Sequence, residues 1–424
     1  MNLIRQVGKA LARITGVAAA LGLVWGFSAP STLTTPGMSA DAVILKMASS
    51  AAVKVIQDSK WGPIGRLQEA INERAPKCGV APVTQDGHFG KTTAEAAQAV
   101  AACLGAHNVS SPDLTVEAWQ TVTGEAAPNA LERARTLART LESTDYDQLE
   151  WNVCVKFTGD QGSVLTWGPY GKTLGWGGEL LGVLKKLDPQ VVKAVFAAEN
   201  AQGIDKLLAL KTAKQLKVAS KHNYPGASAL MRGVCKKPGQ MEAWRNAFAR
   251  LGAMPDVQKV YEDVAWGDDA WFRYVVERLS QSWRAAGLEP TEIDFAFFID
   301  RSIHMGWGEN RFDAVDQALR DLKNCTTPAS FTNARARLAV SDAVRAKARP
   351  DDRLARDAMF LVDAEDKLSD SMALSPTWPK NWKTLWAKRS GISASDVGLS
   401  DDRPAVGFDD YLRAAAPEAK PNAG

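Results

Sequence analysis

One stretch limits the fold more than any other. Residues 128–348 read mainly as helix, and Trp151-Asn152-Val153-Cys154-Val155-Lys156-Phe157 is the exception. Apolar and polar residues alternate there, the period of a half-buried strand. Gly159-Asp160-Gln161-Gly162 turns the chain, and Val164–Trp167 can return as the partner strand. One hairpin among helices predicts a mainly α molecule, an α+β domain with a small β lobe. Ala270–Ala286 and Thr291–Met305 are its strongest helical stretches. Residues 349–424 read as a C-terminal extension packed on that domain, with a frayed tail.

Upstream, residues 58–125 predict a small unit of three helices. Pro63 opens a helix with Ile64, Leu67 and Ile71 on one face. After a Cys/Gly/Pro loop, Asp86-Gly87 makes a turn and Phe89 can plug the core beneath it. Thr92 and Glu95 fit a capping box at the start of the next helix. Residues 30–57 read as a linker. Residues 1–29 read as an export signal: Arg5, Lys9 and Arg13 are the only charges, and Ile14–Ala29 is an uncharged run closed by Pro30. Localisation is therefore expected in the periplasm, cell envelope or outside the cell. Because Ala29 is followed by Pro30, retention as a membrane anchor stays open.

Charge excludes more than it assigns. The chain carries 51 basic and 48 acidic residues, and removing the three basic ones of the signal leaves it neutral. That is no footprint for nucleic acid. Cys78 and Cys103 bracket one short segment and are expected to pair, while Cys154, Cys235 and Cys325 cannot be paired from sequence. The four His are scattered, so no metal site or cofactor is expected. Gly168–Thr173 and Gly87–Thr92 both end in Gly-Lys-Thr. Each has two residues between its glycines instead of the four that a phosphate loop needs, which argues against nucleotide binding.

Chemistry concentrates between Ala130 and Leu181. Leu131, Ala134, Leu137, Ala138 and Leu141 form the apolar face of a helix ending near Glu142. A carboxyl at that edge is partly desolvated and faces the negative end of the helix dipole, both of which oppose ionisation. Asp160, in a polar turn, ionises easily. Two carboxyl groups in contrasting environments suit glycoside hydrolysis. Trp151, Trp167 and Trp176 are candidates for stacking on sugar rings, with core packing as the alternative for each. Asp300 and Arg301 read as a structural ion pair more readily than as substrate contacts.

Two resemblances sharpen this. Asp86, Gly87, Phe89, Gly90 and Thr93 match the D-G-x-F-G-x-x-T signature of the peptidoglycan-binding module of cell-wall enzymes, and Leu67-Gln68 matches its Leu-Gln. Leu141-Glu142-Ser143-Thr144, Gly159-Asp160-x-Gly162 and Thr166-x-Gly168 resemble the chitosanases of glycoside hydrolase family 46 and their lysozyme-like relatives. The eighteen positions from Glu142 to Asp160 equal the family's spacing. Gln161 stands where the family has Gly, Ser143 where it has Asn, and the Asp-to-Thr loop is one residue longer. The resemblance implies a lysozyme-like fold and an inverting glycosidase, with Glu142 as acid, Asp160 as base and Thr166 near the attacking water. Its implied partner is peptidoglycan, with chitosan as the alternative polymer and a non-catalytic wall-binding protein as the other alternative. A rival register places the acid at Glu150, as in phage-type lysozymes. Glu150 has the parity of the solvent face, which favours Glu142.

Overall fold

The computed structural model describes residues 38–405 apart from 50–51, 108, 110–111, 143, 155–160, 176–177, 213–224, 269, 305–308, 345–350 and 369–377. The molecule is mainly helical, and its strands are two or three residues long. The described residues form one compact unit.

The first part is a three-helix unit. β1 (Val43–Leu45) leads to β2 (Ile56–Gln57), then α1 (Pro63–Cys78), β3 (His88–Phe89), α2 (Lys91–Cys103), β4 (Leu114–Thr115) and α3 (Val116–Thr123). β1 pairs antiparallel with β4, and β2 with β3, where Ile56 faces Phe89. Pro63 occupies the first helical position of α1, as the sequence predicts, and Ile64, Leu67, Ile71 and Phe89 are buried. The capping box does not form. α2 begins two residues early behind Gly90, whose backbone is extended and offers no side-chain cap. Thr93 is turned inward instead and donates its hydroxyl to the His88 carbonyl at 3.0 Å. Cys78 and Cys103 form a disulfide with Cα atoms 5.8 Å apart, clamping the end of α1 to the end of α2.

Next come α4 (Ala130–Glu142) and a sheet of β5 (Leu149–Glu150), β6 (Thr166–Trp167) and β7 (Lys172–Thr173), with β6 central. The regular pairing starts two residues before the stretch that alternates in sequence. Trp151, Asn152 and Val153 are all buried, so that segment has no solvent face and runs as a turn. The amide of Val153, bonded to the Val164 carbonyl at 3.0 Å, prolongs the pairing on this side. Gly168-Pro169-Tyr170-Gly171 closes the β6–β7 hairpin. Gly168 has φ of 75°, and a Cβ there would fall 2.7 Å from the Tyr261 ring. The first Gly-Lys-Thr is thus the end of a hairpin turn.

The remaining helices are α5 (Glu179–Lys186), α6 (Pro189–Ala198), α7 (Ile204–Leu208), α8 (Pro225–Cys235), α9 (Gln240–Gly252), α10 (Pro255–Trp266), α11 (Trp271–Ala286), α12 (Glu292–His304), α13 (Glu309–Cys325), α14 (Asn333–Ala343), α15 (Asp351–Ala358) and α16 (Trp382–Arg389). α12 packs along α4 through a core that includes Leu137, Phe297 and Phe298. Residues 390–405 return to this core. Ala405 bonds the Pro290 carbonyl at 2.8 Å, and the Arg403 carbonyl accepts the Glu292 amide at 3.0 Å. A second disulfide joins Cys154 to Cys235, and Cys325 is free and exposed.

Candidate active site

α4 fixes the site, and it is buried more completely than one apolar face requires. Leu131, Ala134, Leu137, Ala138 and Leu141 are covered, and so are Arg133, Thr136, Arg139 and Thr140. A helix buried all round must bring partners for its charges. Arg133 Nη2 meets Glu292 Oε1 at 3.0 Å, and Arg139 pairs with Asp58. Thr136 donates to Asp58 Oδ2 at 2.9 Å. α4 is thereby locked to α12 on one side and to the segment after β2 on the other.

Glu142 is the last residue of α4, and its side chain is 29% exposed. Cations, not apolar surface, face its carboxylate. Arg356 of α15 donates to Glu142 Oε1 through Nη2 and to Asp300 Oδ1 through Nη1, the latter at 2.6 Å. Asp300 also pairs with Arg301, which reaches Asp357. Lys54 Nζ donates to the carbonyls of Thr140 and Leu141 at 3.2 and 3.3 Å, at the C-terminal end of α4. Burial, then the positive charge of Arg389, lowers the proton affinity of Lys54, and Glu142 raises it. The carboxyl is thus partly covered, with a guanidinium group as its bonded neighbour. Glu142 stands at the outer end of a chain of alternating charges, Glu142–Arg356–Asp300–Arg301–Asp357, with three carboxylates to two guanidinium groups.

Two residues further on, Thr144 donates to the Gly168 carbonyl at 3.2 Å, which brings the end of α4 to the end of β6. Thr166 lies on β6 opposite Glu150 on one side and Thr173 on the other. Asn152 donates to the Thr166 hydroxyl at 2.7 Å, and Thr173 donates to Glu179 at 3.4 Å. Glu150 is exposed, although Asn152, two positions on, is buried. Asp160 and Trp176 lie outside the described residues.

Two of the stacking candidates are misplaced for that role. Trp151 is 2% exposed and Trp167 fully buried. The Trp167 indole donates to the Tyr146 carbonyl at 2.6 Å and meets Phe248 and Tyr261 edge-on. Trp151 packs edge-on against Trp244. Both rings are core because a sheet only two or three residues wide needs large side chains to bury its inner face. Among the described residues, an aromatic pair that does face outward is Trp271 and Tyr274 on α11, 41% and 40% exposed, with ring centroids 5.3 Å apart. Their spacing of three on an amphipathic helix was the available signal. The Arg356 contact had none, since it spans 214 positions.

The binding-module signature builds its own turn. Gln68 Oε1 accepts the amides of Asp86 and Gly87 at 3.0 and 2.8 Å, and its Nε2 donates to Asp86 Oδ1 at 2.8 Å. Asp86 also accepts the His88 amide at 2.9 Å. Among the described residues no group of three or more His, Cys, Asp and Glu could hold a metal ion. Comparison with family models, with curated proteins and with solved structures finds no match to this chain.

Proposed function

We propose that this protein is an exported glycoside hydrolase of lysozyme-like fold that cleaves the β-1,4 glycan strands of peptidoglycan, with the three-helix unit as its wall-binding module. One observation carries the reading: a single carboxylate, Glu142, held by Arg356 at the end of a buried helix and joined through Thr144 to the central strand of a small sheet. Glu142 protonates the leaving glycosidic oxygen. Asp160 activates a water from the opposite side, and Thr166, oriented by Asn152, holds that water. The inverting course needs the two carboxyl groups about 6.5–9.5 Å apart.

The test is to incubate the protein lacking residues 1–29 with purified peptidoglycan and with chitosan and to count new reducing ends. Glu142→Gln lowers the rate by about 10²–10⁴, the usual worth of a general acid. Glu150→Gln changes it little. The opposite pattern puts the acid at Glu150, release from chitosan alone replaces the polymer, and release from neither leaves a wall-binding protein without activity.

A further inference from the structure

A concavity involves α4 at residues other than Glu142. It has a volume of about 550 Å³, and its wall includes Trp61 and Arg66 at the start of α1, Glu132 and Arg135 of α4, and Lys259 and Glu262 of α10. That is the size of a small-molecule site.

Its hydrogen-bonding capacity is lopsided. Glu262 accepts the Tyr146 hydroxyl, the Tyr170 hydroxyl at 3.3 Å, and Arg135 and Arg139 at 3.4 Å each. Glu132 accepts Arg66 Nη2 at 3.0 Å and the Asn129 amide at 3.1 Å. Both wall carboxylates are therefore occupied by the protein's own donors. What remains is donor capacity. Lys259 is exposed and has no hydrogen bond or ion pair among the described residues. Arg135 engages Glu262 through Nη1, while its Nε is buried without a partner. Arg66 uses Nε and Nη2 and leaves Nη1. A guanidinium fork beside an ammonium group is matched by a carboxylate, and Trp61 supplies a half-buried ring for the body that carries it.

We infer that this pocket binds a carboxylate of the wall polymer, borne by the lactyl group of an acid sugar or by the end of a peptide stem. The inference rests on the proposed substrate and adds a contact away from the cleaved bond, one that an uncharged or cationic glycan lacks.

Calorimetric titration of the full chain lacking residues 1–29 tests it, with N-acetylmuramic acid, with N-acetylated D-alanyl-D-alanine, and with N-acetylglucosamine as the uncharged control. None contains a glycosidic bond, so the outcome is independent of Glu142 and of hydrolysis. The expected result is saturable binding of one of the acids, weakened by salt, with the control at least about tenfold weaker. The acid that binds identifies the source of the carboxylate. Lys259→Gln, at an exposed and unpaired position, weakens binding about tenfold, the worth of one charged hydrogen bond. Arg135→Lys keeps the charge and loses the fork, and it weakens binding as well. Binding of neither acid, equal binding of the uncharged sugar, or unchanged affinity in both variants overturns the inference.

Discussion

The three-helix unit and the body built on α4 and α12 solve the same problem with different chemistry. Inside the unit, Leu67, Ile71, Phe89, Val100 and Trp119 pack together, and the polar hub, Gln68, meets partners 18 to 25 positions away. The body instead buries charges. Arg133 reaches Glu292 across 159 positions, Arg337 reaches Asp294 and Asp401 across 43 and 64, and Arg356 reaches Glu142 across 214. An apolar contact tolerates slippage because it has no direction, whereas an unpaired buried charge costs several kcal/mol. Short-range packing makes the unit a local structure. In the body, the charge pairs specify which distant segments meet, and they leave one carboxylate, Glu142, at the margin.

The largest effect expected from this contrast is at Arg337. Its side chain is fully buried, with Asp294 at 2.7 Å, Asp401 at 2.8 Å and the Phe360 carbonyl at 3.0 Å. Arg337→Ala leaves Asp294 buried without its cation and should cost about 3–5 kcal/mol in urea unfolding. A loss below about 1 kcal/mol, the range of a surface pair, would mean that the buried charges are incidental to the body.

Within the unit the expected losses are smaller and local. Replacing Cys78 and Cys103 together by Ser should cost about 3 kcal/mol, from the freed loop of the unfolded chain. Gln68→Leu keeps the volume but strips the Asp86 and Gly87 amides of their acceptor, a cost of about 1–3 kcal/mol. Hydrogen exchange should show that loss around residues 86–93 and leave α12 protected. Uniform deprotection of both regions would erase the distinction between them.

The same contrast explains what was legible in the sequence. The start of α1 at Pro63, the pairing of Cys78 with Cys103 and the end of α4 at Glu142 follow from residues within a few turns of one another. So does the Asp300–Arg301 pair, although its neighbours Arg356 and Asp357 do not. Over Trp151–Val153 the expected strand fails because alternation in sequence implies a solvent face, and here Asn152, on that face, is buried and bonded to Thr166, while residues 155–157 of that stretch lie outside the described residues. Trp151 and Trp167, for which stacking and core packing were both open, are core, Trp151 against Trp244. No local pattern reports what a segment nearly a hundred residues downstream brings to its other side.

The smallest effect concerns a charge that the body buries without a carboxylate bonded to it. Lys172 on β7 is 3% exposed, and its ammonium lies 3.6 Å from the centre of the Phe272 ring. Burial lowers its pKa to about 8, with Glu179 and Glu262 acting in the opposite direction. Below about pH 8 the lysine is protonated in both states, so folding carries the whole cost of burying the ammonium. Between about 8 and 10.5 the folded protein has released the proton while the unfolded chain still holds it, and stability climbs with pH. Lys172→Met removes that cost and keeps most of the volume. It also loses the contact between cation and ring, so the net gain expected at pH 7 is about 1 kcal/mol. Urea unfolding of both proteins at pH 7 and pH 10 measures it: the advantage of the Met variant should shrink at the higher pH. An advantage independent of pH would show that packing, rather than the buried charge, separates the two proteins.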